Sequence, residues 1–102
     1  MTISVLLLGK KAIVVEDAKS QLHLPDLRLF AATNLDEVRL AFEQAEIDHV
    51  IMGAGLDIDL RLKMIRTIFQ ISETTTVHMK DVASGPEGFL PFVRAVLTGL
   101  HT

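Results

Sequence analysis

Cysteine, tryptophan and tyrosine are absent from this chain of 102 residues, and each absence excludes a kind of site. Without cysteine the chain can form neither a disulfide nor a thiolate metal site, and a cytoplasmic location is the simple expectation. With no tryptophan, no tyrosine and only five phenylalanines, it offers few platforms on which nucleic-acid bases could stack.

Basic clusters and long apolar runs are also missing. The largest group of adjacent basic residues is the pair Lys10–Lys11, and the formal net charge is −3, so we expect no nucleic-acid partner. No apolar run approaches the roughly 20 residues that cross a bilayer, so we expect no membrane partner. The hydrophobic content of 49% suffices for one core, and we expect residues 1–102 to form a single domain.

What the chain does contain is a regular alternation of strand and helix patterns. The run Ile3–Leu8 is apolar apart from Ser4, which predicts a strand buried on both faces. Apolar residues then recur at helical spacing over about residues 11–24. Residues 27–31 alternate between apolar and polar positions around Arg28, which predicts a half-exposed strand.

The second half of the chain continues this alternation. The segment Asn34–Glu37 has the residues of a capping box, which predicts the start of a helix. The expected elements are a helix over 35–45, a strand over 50–52, a helix over 57–71, a strand over 74–79 and a last helix that ends near 100. Pro91 lies inside this last helix, or begins it if residues 86–90 form a separate turn.

Four strand–helix units without an insertion predict a three-layer α/β/α fold with a four-stranded parallel sheet. The two continuous apolar strands should be central and the two alternating strands should be edges, which gives the strand order 2-1-3-4 of a flavodoxin-like winding. The alternative is a hairpin of residues 3–8 and 12–15 around Gly9, but it leaves Ala18 and Leu22 without a helix that explains them.

The segment "IDHVIMG", residues 47–53, resembles the third strand of response-regulator receiver domains. In that family one aspartate opens the strand and a phosphate-accepting aspartate closes it, whereas here Asp48 opens the strand and Gly53 closes it. The family also has an acidic pair that holds Mg²⁺ after its first strand, where this chain has Lys10 and Lys11. The resemblance therefore implies a degenerate receiver without phosphotransfer chemistry.

A second segment, "HMKDVASGPEGFLPFVRAVL", residues 78–97, is similar to the closing turn and last helix of receivers. In this comparison Lys80 matches the lysine of the family. One strand–helix unit is missing relative to the family, so the segment could equally match the preceding strand.

The carboxyl ends of the first and third strands are the expected ligand position in such a sheet. Gly9, Lys10, Lys11, Gly53 and Gly55 would meet there, where helix N-termini favour an anion. The alternative is that both glycines after the third strand serve only a turn with positive φ. We favour this structural interpretation.

Two further groups of polar residues are candidates for chemistry. Lys80 and Asp81 end a strand and could exchange protons, although an ion pair at the sheet edge is the commoner arrangement. His49 and His78 fall in strands that could be neighbours, but two histidines without a third ligand do not define a zinc site. We therefore expect no metal, no cofactor and no catalytic constellation.

The predicted helix over 57–71 is apolar around more than one face. One stripe contains Ile58, Leu62, Ile65 and Phe69, and a second contains Leu60, Met64, Ile68 and Ile71. We expect the first stripe to cover the sheet and the second to need a cover from outside the domain. We also expect the uncharged edge strand, which includes Val77, to be open to pairing.

These features favour a small non-catalytic interaction or regulatory module that forms a homodimer or binds another protein. The alternative is a nucleotide- or phosphate-binding protein with its site at the carboxyl ends of the first and third strands. An enzyme that uses Lys80 and Asp81 is the weakest of the three hypotheses.

Overall fold

The computed structural model describes residues 2–22, 26–81 and 86–100. The strands within these ranges are β1 (Ile3–Leu8), β2 (Leu27–Ala32), β3 (His49–Met52) and β4 (Thr76–Met79). The helices are α1 (Ala12–Gln21), α2 (Leu35–Gln44), α3 (Ile58–Ile71) and α4 (Phe89–Leu100), and a 3₁₀ turn over Pro86–Gly88 precedes α4.

The four strands form one parallel sheet in the order β2-β1-β3-β4. This confirms the predicted flavodoxin-like three-layer fold and its two edge strands. Residues 12–15 lie in α1, so the hairpin alternative is wrong. The two continuous apolar strands are central because only a strand covered by helices on both sides can bury apolar residues on both faces.

The sheet divides the core into two clusters. Alternate residues of β1 point to opposite faces, so Leu6 and Leu8 pack with α2 and α3, whereas Val5 and Leu7 pack with α1 and α4. In β3, Val50 and Met52 join the first cluster and Ile51 joins the second. The helices therefore cover the sheet in pairs, with α2 and α3 on the same face.

The two central strands are also joined by a polar contact where they begin. The N–H of Ser4 donates to Oδ2 of Asp48 over 2.9 Å, and the N–H of Asp48 donates to the carbonyl of Ser4 over 2.8 Å. A similar contact precedes β4, where the hydroxyl of the buried Thr75 donates to the carbonyl of Ile47 over 2.6 Å. Thr75 therefore belongs to this anchored loop, and β4 is shorter than the predicted strand.

The start of α2 differs in one detail from the predicted capping box. Oδ1 of Asn34 accepts the N–H of Glu37 over 2.9 Å, as expected for an N-cap. The carboxylate of Glu37 instead reaches Thr33, whose N–H and hydroxyl both donate to its Oε1. In α4, Pro91 is the third residue, where its missing N–H costs no intrahelical hydrogen bond.

Candidate functional site

The loops that follow β1 and β3 meet at the carboxyl end of the sheet, as predicted. The N–H of Gly53 donates to the carbonyl of Leu8 over 2.7 Å. A Cβ atom on Gly55 would lie 3.3 Å from Cβ of Lys10, so the two loops are in contact. Gly9, Lys10, Gly53 and Gly55 are therefore brought together at one mouth.

Glycine is required at this mouth because neighbouring atoms lie close to the position of a Cβ, and not because the backbone adopts a positive φ. Neither Gly53 nor Gly55 has a φ in the left-handed region, so the predicted positive-φ turn is wrong. A Cβ on Gly53 would be 3.4 Å from both the carbonyl of Leu8 and the ring of Phe89. A Cβ on Gly9 would lie 2.9 Å from Cγ1 of Val15, which is closer than real side chains approach. These glycines let α1 and α4 pack tightly against the strand ends.

The three lysines proposed for this mouth have different environments. Lys10 and Lys11 are exposed, and Lys11 is the N-cap of α1 but contributes no side-chain capping bond. Lys80 is only 3% exposed, and its Nζ donates to the carbonyl of Asp81 over 2.9 Å. Since β3 separates β1 from β4, Lys80 lies one strand further along the sheet than the other two lysines.

The acidic residue of the β3–α3 loop is already engaged by the fold. Oδ1 of Asp57 accepts the N–H of Leu60 over 2.9 Å and so caps α3. Gly53, which directly follows β3, provides no side chain. The mouth therefore has cationic side chains and close-packed backbone, and the carboxylate of the β3–α3 loop acts as a helix cap.

A second polar group lies at the edge of the sheet, where His49 and His78 are neighbours as the strand pairing predicts. Their ring centroids are 6.1 Å apart, and Oγ1 of Thr76 lies 2.5 Å from Nδ1 of His49 and 3.1 Å from Nε2 of His78. Burial lowers the pKa of His49 from its usual value; the charge of His78 lowers it further and that of Asp48 opposes the change. Thr76 was not anticipated, because its role depends on the register between β3 and β4.

The apolar surface of α3 is the reverse of what the sequence predicted. Met64 and Ile68, from the stripe expected to be uncovered, are fully buried against the sheet. Ile58, Leu62 and Phe69, from the stripe expected to cover the sheet, are 51%, 55% and 49% exposed. The proposed interface residues Met64 and Ile68 are therefore core residues of the domain.

The remaining proposed interface residues lie around this core. Leu60 and Val77 are half-buried and pack against the same cluster, and Ile71 is 48% exposed. Ile71 lines a groove together with Phe42 of α2, which shows that this side of α3 faces α2.

The exposed stripe of α3 lies on the opposite side, next to the open edge of the sheet. We call Ile58, Leu62, Ile65 and Phe69 the edge-facing stripe. At 3.6 residues per turn, the exposed members of this stripe are rotated about 100–140° around the helix axis from Met64 and Ile68. Ile71 is rotated from these two residues in the opposite sense. Since α2 lies on the Ile71 side, the edge-facing stripe points away from α2, toward the side on which β4 follows β3 in the sheet.

No protein-family model matches the chain, and no curated protein or solved structure matches it either. The similarity to receiver domains therefore stays a prediction from the residues that carry it. None of the helices in the described ranges is long and apolar enough to cross a membrane. In the same ranges, no group of three or more histidine, aspartate or glutamate side chains is placed to hold a metal ion.

Proposed function

We propose that the chain is a small non-catalytic interaction module that self-associates. One observation carries this proposal, namely that Ile58, Leu62 and Phe69 are about half exposed on the side of α3 that points away from α2. In a receiver-like regulatory module without a phosphate acceptor, such a surface would transmit a signal through assembly and not through chemistry.

The edge of the sheet supports pairing with another strand. Among the described strands, β4 pairs only with β3, so one side of its backbone has no neighbouring strand. Thr76–Met79 contains no aspartate, glutamate, lysine or arginine, whereas natural edge strands are usually protected by charge, proline or a bulge. Met79 adds an apolar side chain that is 43% exposed.

The edge-facing stripe supports the burial of apolar surface. Ile58, Leu62 and Phe69 are each about half exposed and lie on one side of one helix. Fully burying a large apolar side chain contributes roughly 1.5–3 kcal/mol, so the remaining half contributes about 1 kcal/mol for each residue. A contiguous apolar patch of this kind usually marks a protein interface.

A charged substitution in this stripe tests the proposal. We expect light scattering to give the molar mass of a dimer for the wild type at high micromolar concentration and of a monomer for Leu62→Glu. The matched control is Leu40→Glu on α2, because Leu40 is 51% exposed and Leu62 is 55% exposed. The control should stay dimeric, and a wild-type monomer would overturn the proposal.

The receiver-like part of the proposal has its own test. Gly53 cannot accept a phosphoryl group, and Lys10 and Lys11 repel a divalent cation. We therefore expect incubation with acetyl phosphate and Mg²⁺ to leave the intact mass unchanged. A stable addition of one phosphoryl group to an aspartate would contradict this expectation.

A second candidate function is the binding of a nucleotide or phosphate at the carboxyl ends of β1 and β3. The exposed lysines Lys10 and Lys11 favour it, because they lie at the N-terminus of α1, where free N–H groups favour an anion. A ligand present at 100 times its Kd should raise the free energy of unfolding by about 2.7 kcal/mol. A thermal-shift screen with inorganic phosphate and nucleotides would detect this change, and replacing Lys10 and Lys11 with alanine should abolish it. An unchanged thermal shift in the double variant would exclude the carboxyl ends of β1 and β3 as the ligand site.

A further inference from the structure

The backbone of β4 has a defined set of outward-facing groups. The N–H groups of Thr76 and Lys80 donate to the carbonyls of Asp48 and Met52 in the β3 segment, over 3.1 and 2.9 Å. Successive residues of a strand direct their N–H and C=O groups to opposite sides, so residues 76, 78 and 80 face β3. Val77 and Met79 therefore direct their N–H and C=O groups away from the sheet.

We propose that β4 pairs with β4 of a second copy in antiparallel orientation, with the twofold axis passing beside His78. This inference rests on the proposed self-association and specifies its geometry. In this register Val77 lies opposite Met79 of the second copy, and the reverse pair forms at the same time. All outward-facing backbone groups within Thr76–Met79 are then paired, through four N–H···O=C hydrogen bonds. The product is a continuous sheet of eight strands.

The same axis brings the two edge-facing stripes together. A twofold axis perpendicular to the sheet leaves both copies of α3 on one face and makes them antiparallel. Since the cluster that contains Met64 and Ile68 also contains residues of β3 and is contacted by Val77 of β4, we place the axis of α3 over this strand pair. Two such helices are then separated by about two strand spacings, or roughly 10 Å, which is a normal distance between packed helices.

The spacing of the stripe fits this antiparallel arrangement. Its residues at 58, 62, 65 and 69 are placed symmetrically about their midpoint. When the axis beside His78 also passes this midpoint, Ile58 meets Phe69 of the second copy and Leu62 meets Ile65 of the second copy. One symmetry operation thus pairs the open backbone edge and covers the exposed apolar side chains, which is the requirement for a closed twofold interface.

The paired segments carry little charge, which is compatible with a second copy as the occupant. The chain has a formal net charge of −3, so two copies repel each other overall. Thr76–Met79 and the edge-facing stripe contain no aspartate, glutamate, lysine or arginine, so His78 is the one ionisable residue that lies opposite its own copy along these paired segments. A second copy brings a strand and an apolar stripe to the interface together, so it can cover both segments at once.

Single-cysteine variants test the register, and the absence of native cysteine makes each introduced thiol unique. In the proposed pairing, His78 is opposite itself at a non-hydrogen-bonded position, where Cα atoms are about 4.5 Å apart, within the range of a disulfide. We expect His78→Cys to form a covalent dimer with oxidised glutathione, at concentrations where the wild type is dimeric.

Thr76→Cys is the matched control on the same strand and the same face of the sheet. Its own copies are offset by four residues in this register, or about 13 Å, which a disulfide cannot bridge. A wild-type dimer in which His78→Cys remains unlinked, or in which Thr76→Cys links instead, would overturn the register and leave self-association intact. A wild-type monomer would remove both proposals.

Val77→Pro provides a second test that needs no cysteine. The N–H of Val77 faces away from β3, so proline removes no hydrogen bond within the monomer but removes two of the four between copies. We expect each copy to keep its fold, with an unchanged circular dichroism spectrum. The Kd of the dimer should rise at least about 10-fold. An unchanged Kd would overturn the proposed pairing.

Discussion

Two sides of α3 have nearly the same composition and opposite environments. Met64 and Ile68 on one side are 0% exposed, whereas Ile58, Leu62 and Phe69 on another side are about half exposed. Both sets recur at helical spacing, so neither hydrophobicity nor periodicity distinguishes the core side from the surface side. The comparison shows that a helix that is apolar around a wide arc has its buried side selected by the sheet and its neighbouring helix.

The right-handed connection between β3 and β4 determines which side of α3 faces α2 and which side stays exposed. A right-handed connection from β3 to β4 places α3 beside α2 on the same face of the sheet. One side of α3 then faces α2, through Ile71 and Phe42. The other side points away from α2 and has no further helix to cover it among the described residues.

The largest expected effect is a difference in stability between the two sides. Met64→Ala removes a fully buried side chain, and we expect it to lower the free energy of unfolding by about 2–5 kcal/mol. Leu62→Ala should change the same quantity by less than about 0.5 kcal/mol, because half of this side chain is already in water. Urea unfolding of dilute protein measures both changes in the free energy of unfolding. Equal losses would contradict the assignment of Met64 to the core and of Leu62 to the surface.

Much of the fold could be predicted from the sequence because it depends on local signals. The continuous apolar runs indicated the central strands, Gly9 and Gly53 marked their ends, and Asn34 marked the start of α2. The strand order followed from which runs were apolar on both faces. The meeting of Lys10 with Gly55 then followed from the topology alone.

The remaining features depend on contacts between distant segments. The position of Met64 in the core depends on the rotation of α3 over the sheet, which its own periodicity does not set. Thr76 lies between two histidines because of a register that only the assembled sheet defines. Gly53 was assigned to a turn, and its true constraint comes from Phe89, 36 positions later in the sequence.

A smaller effect should come from the cap that fixes where α3 begins. Asp57→Ala removes the acceptor for the N–H of Leu60, so we expect a loss of about 1 kcal/mol in the free energy of unfolding. Asp59→Ala is the matched control, since Asp59 is an exposed carboxylate in the same first turn. It should cost less because only the interaction with the helix dipole is lost. Urea midpoints that rank the two variants in the reverse order would contradict the capping role.

The smallest expected effect is a loss of stability at acid pH, and it should not depend on either side of α3. The pKa of His49 is lowered in the folded protein, so the unfolded chain binds a proton more readily as the pH falls below the usual value of 6.5. Stability is therefore complete above that pH and decreases below it. We expect thermal midpoints between pH 7.5 and 5 to decrease less in His49→Gln than in the wild type.

The acid effect should be the same in a Leu62→Ala background, because His49 and Ile51 share the face of the sheet opposite α3. A steeper acid dependence in His49→Gln would contradict the direction of the pKa change. An acid dependence that vanished with Leu62→Ala would show that the two faces of the sheet are coupled.

The contact between Ser4 and Asp48 determines how uniquely the chain can fold. β1 has apolar side chains on both faces, so sliding it by one residue would exchange its contributions to the two clusters while keeping apolar atoms buried on each side. Hydrophobicity thus discriminates poorly between the native alignment and a slipped one. The reciprocal hydrogen bonds between Ser4 and Asp48 exist in only one alignment. A single polar pair therefore selects the native alignment of β1 and β3, the two most apolar strands of the molecule.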